Sequence, residues 1–512
     1  LVEQNELIMS KKKTLLFSFI PFIYLLLLLF QKDLAMLGDL GRHLKLGEVI
    51  VTCHCVPQTN LFSYTNPNFP IVNHEWLSEV IFYLTTVVFG LNGLLVLKMI
   101  IIVATSVLLY FVALKKGSLF WVTIFSLLCL TVFSTRFFVL PELFSYLFLS
   151  LFIFLIEKYK TSRKSNLLWF LPALEVLWVN MHIYFIIGIG MYGLFLLEEW
   201  LRHKKLDKQF FLVGASLIIG IFCNPSFAKG ALLPFTIFHN YGLSVEENFS
   251  PFDVFNNLNT TSTVAYTLVL QVVVFEILVG LFLIGFFVIK QWGNIFSLGN
   301  GLFAMILGLK LVRCVSLFAV LGFVPLVQAF TLLEEKLQKS MDSSFANIVK
   351  GTVAICVGII VLIHIKGLFD YQLLHFSFVP YAEKSVAFMK AAHVRGPIFN
   401  NYRIGNYLIY GLYPQEKIFV DARPEAYPPG FFDEYWRMLS DSQFFNQQVA
   451  KYHINAVVFN VDDDPSKIRP FLIRLLQGKE WVPVYGDGLV TIFVRNNKVN
   501  REVIEQYRMT LH

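Results

Sequence analysis

Long apolar runs recur along the first two thirds of the chain, and no other feature constrains its fold as strongly. A helix that crosses a bilayer core needs about 20 predominantly apolar residues, with a range near 17–25. Runs approaching or reaching that length fall near 14–30, 93–114, 118–134, 139–156, 167–181, 183–200, 210–224, 264–289, 295–310, 314–331 and 351–366, which predicts eleven spans. The stretch 76–89, opening Trp76-Leu77-Ser78-Glu79, is apolar but short and reads as an interfacial or re-entrant helix. Composition points the same way. Only 15% of residues are charged, where soluble domains carry about a quarter, so a soluble enzyme, a disordered chain and a small disulfide scaffold are all excluded. Met9 opens Met-Ser-Lys-Lys-Lys ahead of the first run and is a candidate start of translation. The run itself, bulky and followed by no small-residue cleavage site, reads as a retained signal anchor.

Charge sets the orientation. Lys11–Lys13, Lys115–Lys116, Lys158 to Lys164, Arg202 to Lys208, Lys290 and the 332–350 loop carry 17 Lys and Arg on one side, against seven in the opposite loops of residues 1–366. The positive-inside rule makes the first side cytoplasmic. Eleven spans then place residues 367–512 outside the cytoplasm, with the long 31–75 loop and the 224–263 loop. The net charge of +7 is concentrated in these short loops. It therefore speaks for a lipid bilayer as partner and not for nucleic acid.

The chain thus divides into a polytopic α-helical membrane domain, 1–366, and a C-terminal extracytoplasmic α/β domain, 367–512. In the tail, helical periodicity at 381–393, 405–412, 430–452 and 466–477 alternates with strands at Pro397–Asn400, Lys417–Asp421 and Ala456–Val461. A final strand pair near 482–494 is split by Gly486-Asp487-Gly488. Such alternation predicts a largely parallel sheet. Cys129, Cys223, Cys314 and Cys356 lie in apolar runs and read as small core residues. Cys53 and Cys55 flank His54 in a polar loop, a poor metal site without further ligands, and read as a reactive or reduced pair.

Ionisable groups in or beside spans are costly and usually functional. In Gly38-Asp39-Leu40-Gly41-Arg42-His43, a helix would put Asp39, Arg42 and His43 on one face at i, i+3 and i+4. Asn73-His74-Glu75-Trp76-Leu77 follows in the same outer loop. Arg136 and Glu142 bracket the next outer hairpin, Asn180 and His182 form another outer turn, Asn224-Pro225 opens a further loop, and Arg313 lies between the ninth and tenth spans. Each alone has an ordinary reading: an Arg that snorkels, an Asn that caps, a His that is solvated. Together they gather on one predicted membrane face. Glu175, Glu276 and Lys98 fall inside spans and fit either an ion path or hydrogen bonds to neighbouring helices.

The order of these motifs resembles the GT-C membrane glycosyltransferases, in particular the bacterial branch related to protein mannosyltransferases and lipopolysaccharide sugar transferases. The likeness rests on Asp39 and His43 after the first span, then Pro57, Phe62-Ser63-Tyr64 and Asn73-His74-Glu75-Trp76-Leu77. It continues through Leu140-Pro141-Glu142-Leu143-Phe144-Ser145-Tyr146 and Asn224-Pro225 to Phe399-Asn400-Asn401-Tyr402, Gly405-Asn406-Tyr407-Leu408 and Phe419-Val420-Asp421-Ala422-Arg423. The resemblance implies a polyprenyl-phosphate sugar donor, an acceptor outside the cytoplasm and a catalytic acid at Asp39. Leu40-Gly41-Arg42 follows that Asp where many relatives carry a second acid or an aromatic, which leaves a requirement for a divalent cation, Mg or Mn, open.

The chemistry can be reasoned from the residues as well. Glycosyl transfer passes through an oxocarbenium-like state, so the acceptor hydroxyl needs a carboxylate base, Asp39 or its competitor Glu75. The departing phosphate needs guanidinium groups, for which Arg42, Arg136 and Arg313 are candidates. His43, His74 and Glu75 would orient the sugar or bind metal, and Glu142, Asn180 and His182 would complete the substrate contacts. Asn400, Asn401, Asp421 and Arg423, beyond predicted strands, would touch the acceptor or cover the donor, unless Asp421 and Arg423 merely close the tail domain as a pair. Two rival classes remain: a transporter or flippase of lipid-linked sugars, which would use the acids inside spans, and a non-catalytic envelope assembly protein.

Overall fold

The computed structural model describes residues 17–236, 246–253, 263–289, 294–340 and 343–509. Met9, Lys11–Lys13, Lys290 and parts of the expected 14–30 span and 224–263 loop lie outside them. The helices that carry the polar groups are α1 (Leu40–Cys53), α2 (Trp76–Leu114), α3 (Leu119–Phe133), α4 (Glu142–Ser162), α5 (Phe170–Trp178), α6 (Phe185–His203), α7 (Thr263–Ile289), α8 (Ser343–Asp370) and α9 (Ile404–Leu412). Compactness divides the chain into two units, one of Leu1–Lys32, Leu95–Cys223 and Ser244–Ser377, the other of Asp33–Leu94, Asn224–Leu243 and Phe378–His512. Composition alone draws the boundary at 366/367, whereas compactness assigns the first outer loop to the tail's unit.

The first unit is helical. Among the described residues four helices are long and apolar enough to cross a membrane, and a fifth span results if Val312–Leu321 and Phe323–Lys339, bent by 53°, count as one. Phe17–Leu29, Lys208–Gly220 and Ile295–Lys310 are shorter apolar helices. The chain is a multi-pass membrane protein. A buried polar chain ties four of its helices together: Tyr24 Oη meets His364 Nδ1 at 2.6 Å and Thr131 Oγ1 at 2.8 Å, while Gln271 donates to Ser134 Oγ at 3.0 Å. Glu175 on α5 makes no such bond. Both its carboxylate oxygens are buried and unpartnered, and a Cβ on Gly188 of α6 would come 2.5 Å from Oε2.

The stretch 76–89 is not a separate element. It forms the first part of the 39-residue α2, which also contains the expected 93–114 span and is broken at Gly90 (φ 69°, ψ −178°). That region of backbone space is essentially restricted to glycine, so the break is written into the sequence at one residue.

The second unit holds a four-stranded sheet in the order β1-β2-β4-β3, made of β1 (Ile398–Asn400), β2 (Ala456–Asn460), β3 (Trp481–Gly486) and β4 (Val490–Arg495). Only the β1–β2 pair is parallel; β2–β4 and β4–β3 are antiparallel, which corrects the expectation of a largely parallel sheet. The reason is local. Gly488 (φ 88°) and the Asp487 carboxylate, which accepts from the backbone of Leu489 and Val490, close a tight hairpin, and a hairpin forces antiparallel pairing. The expected strand at Lys417–Asp421 reduces to isolated bridges from Ile418. There the side chain of Asn400 takes over the ladder: it donates to Val420 O at 2.7 Å and accepts from Phe419 N at 2.9 Å. Cys53 and Cys55 are joined by a disulfide at the end of α1, in place of the expected reduced pair.

Two glycines let α1 approach its neighbours closely. A Cβ at Gly41 would lie 2.9 Å from the carbonyl oxygen of Asn406 on α9, and one at Gly47 would lie 2.1 Å from that of Glu79 on α2. No side chain fits the second gap without moving backbone. Gly47→Ala is therefore expected to destabilise by about 1–3 kcal/mol, the usual range for overpacking, and to move Glu79 away from α1. Thermal unfolding of purified protein checks it, and an unchanged Tm contradicts the close approach.

Candidate active site

In the second unit α1 presents the predicted trio. Asp39 is the N-cap residue of α1, and its Oδ1 accepts from Asn406 Nδ2 at 2.7 Å. Its side chain is 40% exposed, and Oδ2 has no hydrogen-bond partner among the described residues. Arg42, whose side chain is only 7% exposed, is held loosely: Nη2 lies 3.9 Å from Asp39 Oδ1, and Nη1 lies 3.7 Å from Glu79 Oε1. Its Nε is buried with no partner.

His43 connects the rest. Its Nδ1 stands 3.0 Å from Glu79 Oε1, and its Nε2 stands 3.3 Å from Arg42 Nη2. Arg can only donate, so Nε2 accepts and the ring proton on Nδ1 is donated to Glu79. Burial first, and Arg42 second, lower the imidazole to about 4, which keeps it neutral. Glu79 is fully buried and also accepts from Asn73 Nδ2 at 2.6 Å. Glu75 immediately precedes α2, four residues before Glu79, and lies 3.9 Å from His43 and 3.7 Å from His74; burial raises its carboxyl above the ordinary range. Burial likewise lowers His74.

One ligand atom each from His43, Glu75 and Glu79 lie within 4.8 Å of one another. Once the ring proton moves from Nδ1 to Nε2, at the expense of the bonds to Glu79 and Arg42, a neutral imidazole with two carboxylates fits a borderline divalent ion such as Mn²⁺. It fits Mg²⁺ less well, because Mg²⁺ prefers an all-oxygen shell.

The tail residues expected to touch substrate are engaged elsewhere. Asn400 braces Phe419 and Val420, and Asn401 exchanges two bonds with the backbone of Asn460. Asp421 is buried and holds Arg423 in a bidentate pair, Nε to Oδ1 at 2.9 Å and Nη2 to Oδ2 at 2.7 Å. Nη2 also donates to Asn60 at 3.1 Å.

The remaining predicted residues lie in the first unit. There Arg136 is already paired, with Nη2 at 2.5 Å from Glu142 and Nη1 at 3.0 Å from Glu247. Glu142 also accepts from Tyr146 at 2.5 Å, and Tyr146 meets Ser316 at 2.6 Å. His182 Nδ1 meets Ser145 Oγ at 2.9 Å, and Asn180 caps the backbone of Val176 and Cys223. Arg313 lies in a single turn, Val312–Cys314. Sequence reasoning missed Glu79, Asn73 and Asn406. The signal for Glu79 was present: Glu75 and Glu79 stand at i, i+4, one face of a helix otherwise apolar.

No protein-family profile and no curated protein matches the sequence. Solved structures do. The apo oligosaccharyltransferase of Archaeoglobus fulgidus superposes with a TM-score of 0.65 at 11% identity, over 95% of this chain and 74% of that one. The same archaeal enzyme, AglB, in complex with an inhibitory peptide and a dolichol-phosphate gives 0.60 at 10% identity, over 96% and 75%. ArnT from Cupriavidus metallidurans bound to undecaprenyl phosphate gives 0.51 at 11% identity, over 96% and 99%. The chain shares its fold with these solved structures, as the resemblance of its motifs to GT-C enzymes leads one to expect.

Two outcomes follow from this geometry. Removing one partner of a buried ion pair typically costs about 3–5 kcal/mol; Asp421→Asn should lose stability on that scale while activity per folded molecule survives. A stable but inactive variant would instead place Asp421 at the substrate. For His43, the unfolded chain takes up a proton near 6.5 and the folded one only near 4. The stability of the neutral ring is therefore complete above about 6.5 and drains away as pH falls toward 4. Melting curves across that window should show a steeper acid loss in the wild type than in His43→Gln, and parallel curves would contradict the buried neutral ring.

Proposed function

We propose that the chain is a glycosyltransferase that moves a sugar from a polyprenyl-phosphate donor to an acceptor outside the cytoplasm, with Asp39 as base. The observation that carries this reading is the contrast among the acids. Glu79 and Asp421 are consumed by internal partners, whereas Asp39 is fixed through one oxygen and open at the other, beside a buried guanidinium with an unfilled Nε. Asp39 Oδ2 takes the proton of the acceptor hydroxyl as that oxygen bonds to the anomeric carbon. The bond from that carbon to the phosphate oxygen breaks, and its electron pair leaves on the polyprenyl phosphate. Arg42 meets the growing charge on the phosphate, and the Glu79–His43 pair holds the guanidinium in place. A divalent ion held by His43, Glu75 and Glu79 would replace the His43–Glu79 hydrogen bond, and when bound it would supply Lewis-acid polarisation of a phosphate oxygen.

The fold supports the reading, since the archaeal neighbour is an oligosaccharyltransferase and ArnT is seen with undecaprenyl phosphate. We place eleven spans in the chain, with the loop bearing Asp39 and the tail on the extracytoplasmic side. Asp39→Asn keeps shape and the bond from Asn406 but loses basicity. Turnover should fall about 10²–10⁴-fold with donor binding intact, measured as single-turnover transfer from a radiolabelled polyprenyl-phosphate sugar. If Glu75→Gln is dead while Asp39→Asn keeps more than about a tenth of wild-type turnover, the base is Glu75. If both remain active, the mechanism is wrong.

A further inference from the structure

The tail contributes a half-buried acid, Glu425, that forms no ion pair among the described residues. Glu425 lies in the turn Pro424–Ala426, and that turn is held on both sides. Arg423 is locked to Asp421 and Asn60, Asn60 Nδ2 donates to Ala426 O at 3.1 Å, and Tyr427 Oη accepts from Asp421 N at 2.9 Å. The half-buried Glu425 carboxylate, between these anchors, has its own backbone N–H as its hydrogen-bond partner and forms no ion pair among the described residues. Nothing in the turn's own architecture needs a carboxylate there.

Its surroundings define what it can hold. Glu425 feels the positive charge of Arg42 and Arg423 and the imidazole of His74, and it acts on the phenol of Tyr402, which also feels Asp39. Burial raises its carboxyl above the ordinary range, opposed by the two guanidinium groups nearby. They also make a second cation an unfavourable ligand. A neutral group with several donors in a small space suffers no such penalty, and adjacent hydroxyls on a sugar ring are such a group. The segment leading into this turn is tied to Asp39 through one side chain, since Ala422 N donates to Asn406 Oδ1 at 3.3 Å and Asn406 Nδ2 donates to Asp39 Oδ1 at 2.7 Å. The donor's sugar, attached directly to its phosphate, would lie near the same residues.

We infer that Glu425 is a binding residue for the donor's sugar, accepting hydrogen bonds from ring hydroxyls one glycosidic bond away from the phosphate held at Arg42. This rests on the glycosyltransferase reading of the same site. It goes further by assigning the tail a part in choosing which sugar is transferred.

The test separates headgroup from lipid. Full-length protein in detergent is titrated with bare undecaprenyl phosphate and with undecaprenyl-phosphate hexoses and pentoses. The wild type should bind at least one sugar-bearing lipid more tightly than the bare lipid. Glu425→Ala and Glu425→Gln should bind the bare lipid as the wild type does, with affinity for the preferred sugar-bearing lipid reduced about tenfold, one carboxylate–hydroxyl pair's worth. Arg42→Ala should weaken both lipids. Equal losses for both lipids in the Glu425 variants, or no loss for either, overturn the inference and leave the transferase reading standing. A preference for amino sugars alone, abolished by Glu425→Gln, also overturns it, because the ligand is then a cation. A wild type that binds none of these lipids removes the glycosyltransferase reading itself. Unchanged thermal unfolding of Glu425→Gln shows that the effect is local.

Discussion

Glu79 has no exposed surface, and the site is organised around that fact. An isolated carboxylate in such surroundings is too costly to persist, so it must be hydrogen-bonded and balanced by charge. Asn73 and His43 supply the bonds and Arg42 the charge, and the three come from the loop and from α1. The demand of one buried acid therefore fixes α1 against the first turns of α2, sets the tautomer of His43 and positions Arg42. Gly47 makes the arrangement possible, because α1 must come near enough for His43 to reach. The guanidinium is left with more donors than the protein fills, and an anion can complete them.

The acids of the second unit fall into two groups by what they already hold. Asp421 and Glu79 satisfy neighbours and shape the fold. Asp39 and Glu425 are positioned by rigid surroundings and keep oxygens unused, and Glu75 is held only at ion-pair distances. Catalysis by proton transfer and recognition of hydroxyls both need acceptors that folding has not consumed. In the first unit Arg136 illustrates the opposite case, since two carboxylates already occupy its fork.

What the sequence made legible follows from how local the cause is. The helices of the membrane unit are visible because each is an apolar run. The β3–β4 hairpin is visible because Gly486-Asp487-Gly488 carries its own turn. Asp39, Arg42 and His43 share a face because three positions on one helix must. Legibility fails where a side chain from a distant segment intervenes. Asn400 displaces a strand ladder that local pattern predicts at 417–421, and Asn406 reaches Asp39 across more than 360 positions of chain. Glu79 hid in an apolar stretch because its partners lie on another helix. The sheet departs from the parallel pattern because β4, returning through the hairpin, lies between β2 and β3 and runs against both, a placement that alternation of helix and strand does not show.

Gly90 carries a consequence for how this chain can vary. The backbone there combines a positive φ with an extended ψ, and a Cβ would meet nothing within 4 Å. The prohibition on other residues is thus a matter of torsion alone, with no crowding to relieve. Neighbouring substitutions that open space cannot compensate for a lost glycine at this position, as they can at Gly47. In a lineage of such chains Gly90 would drift least through packing changes and would disappear only together with the break in α2, leaving one straight helix where there are now two directions.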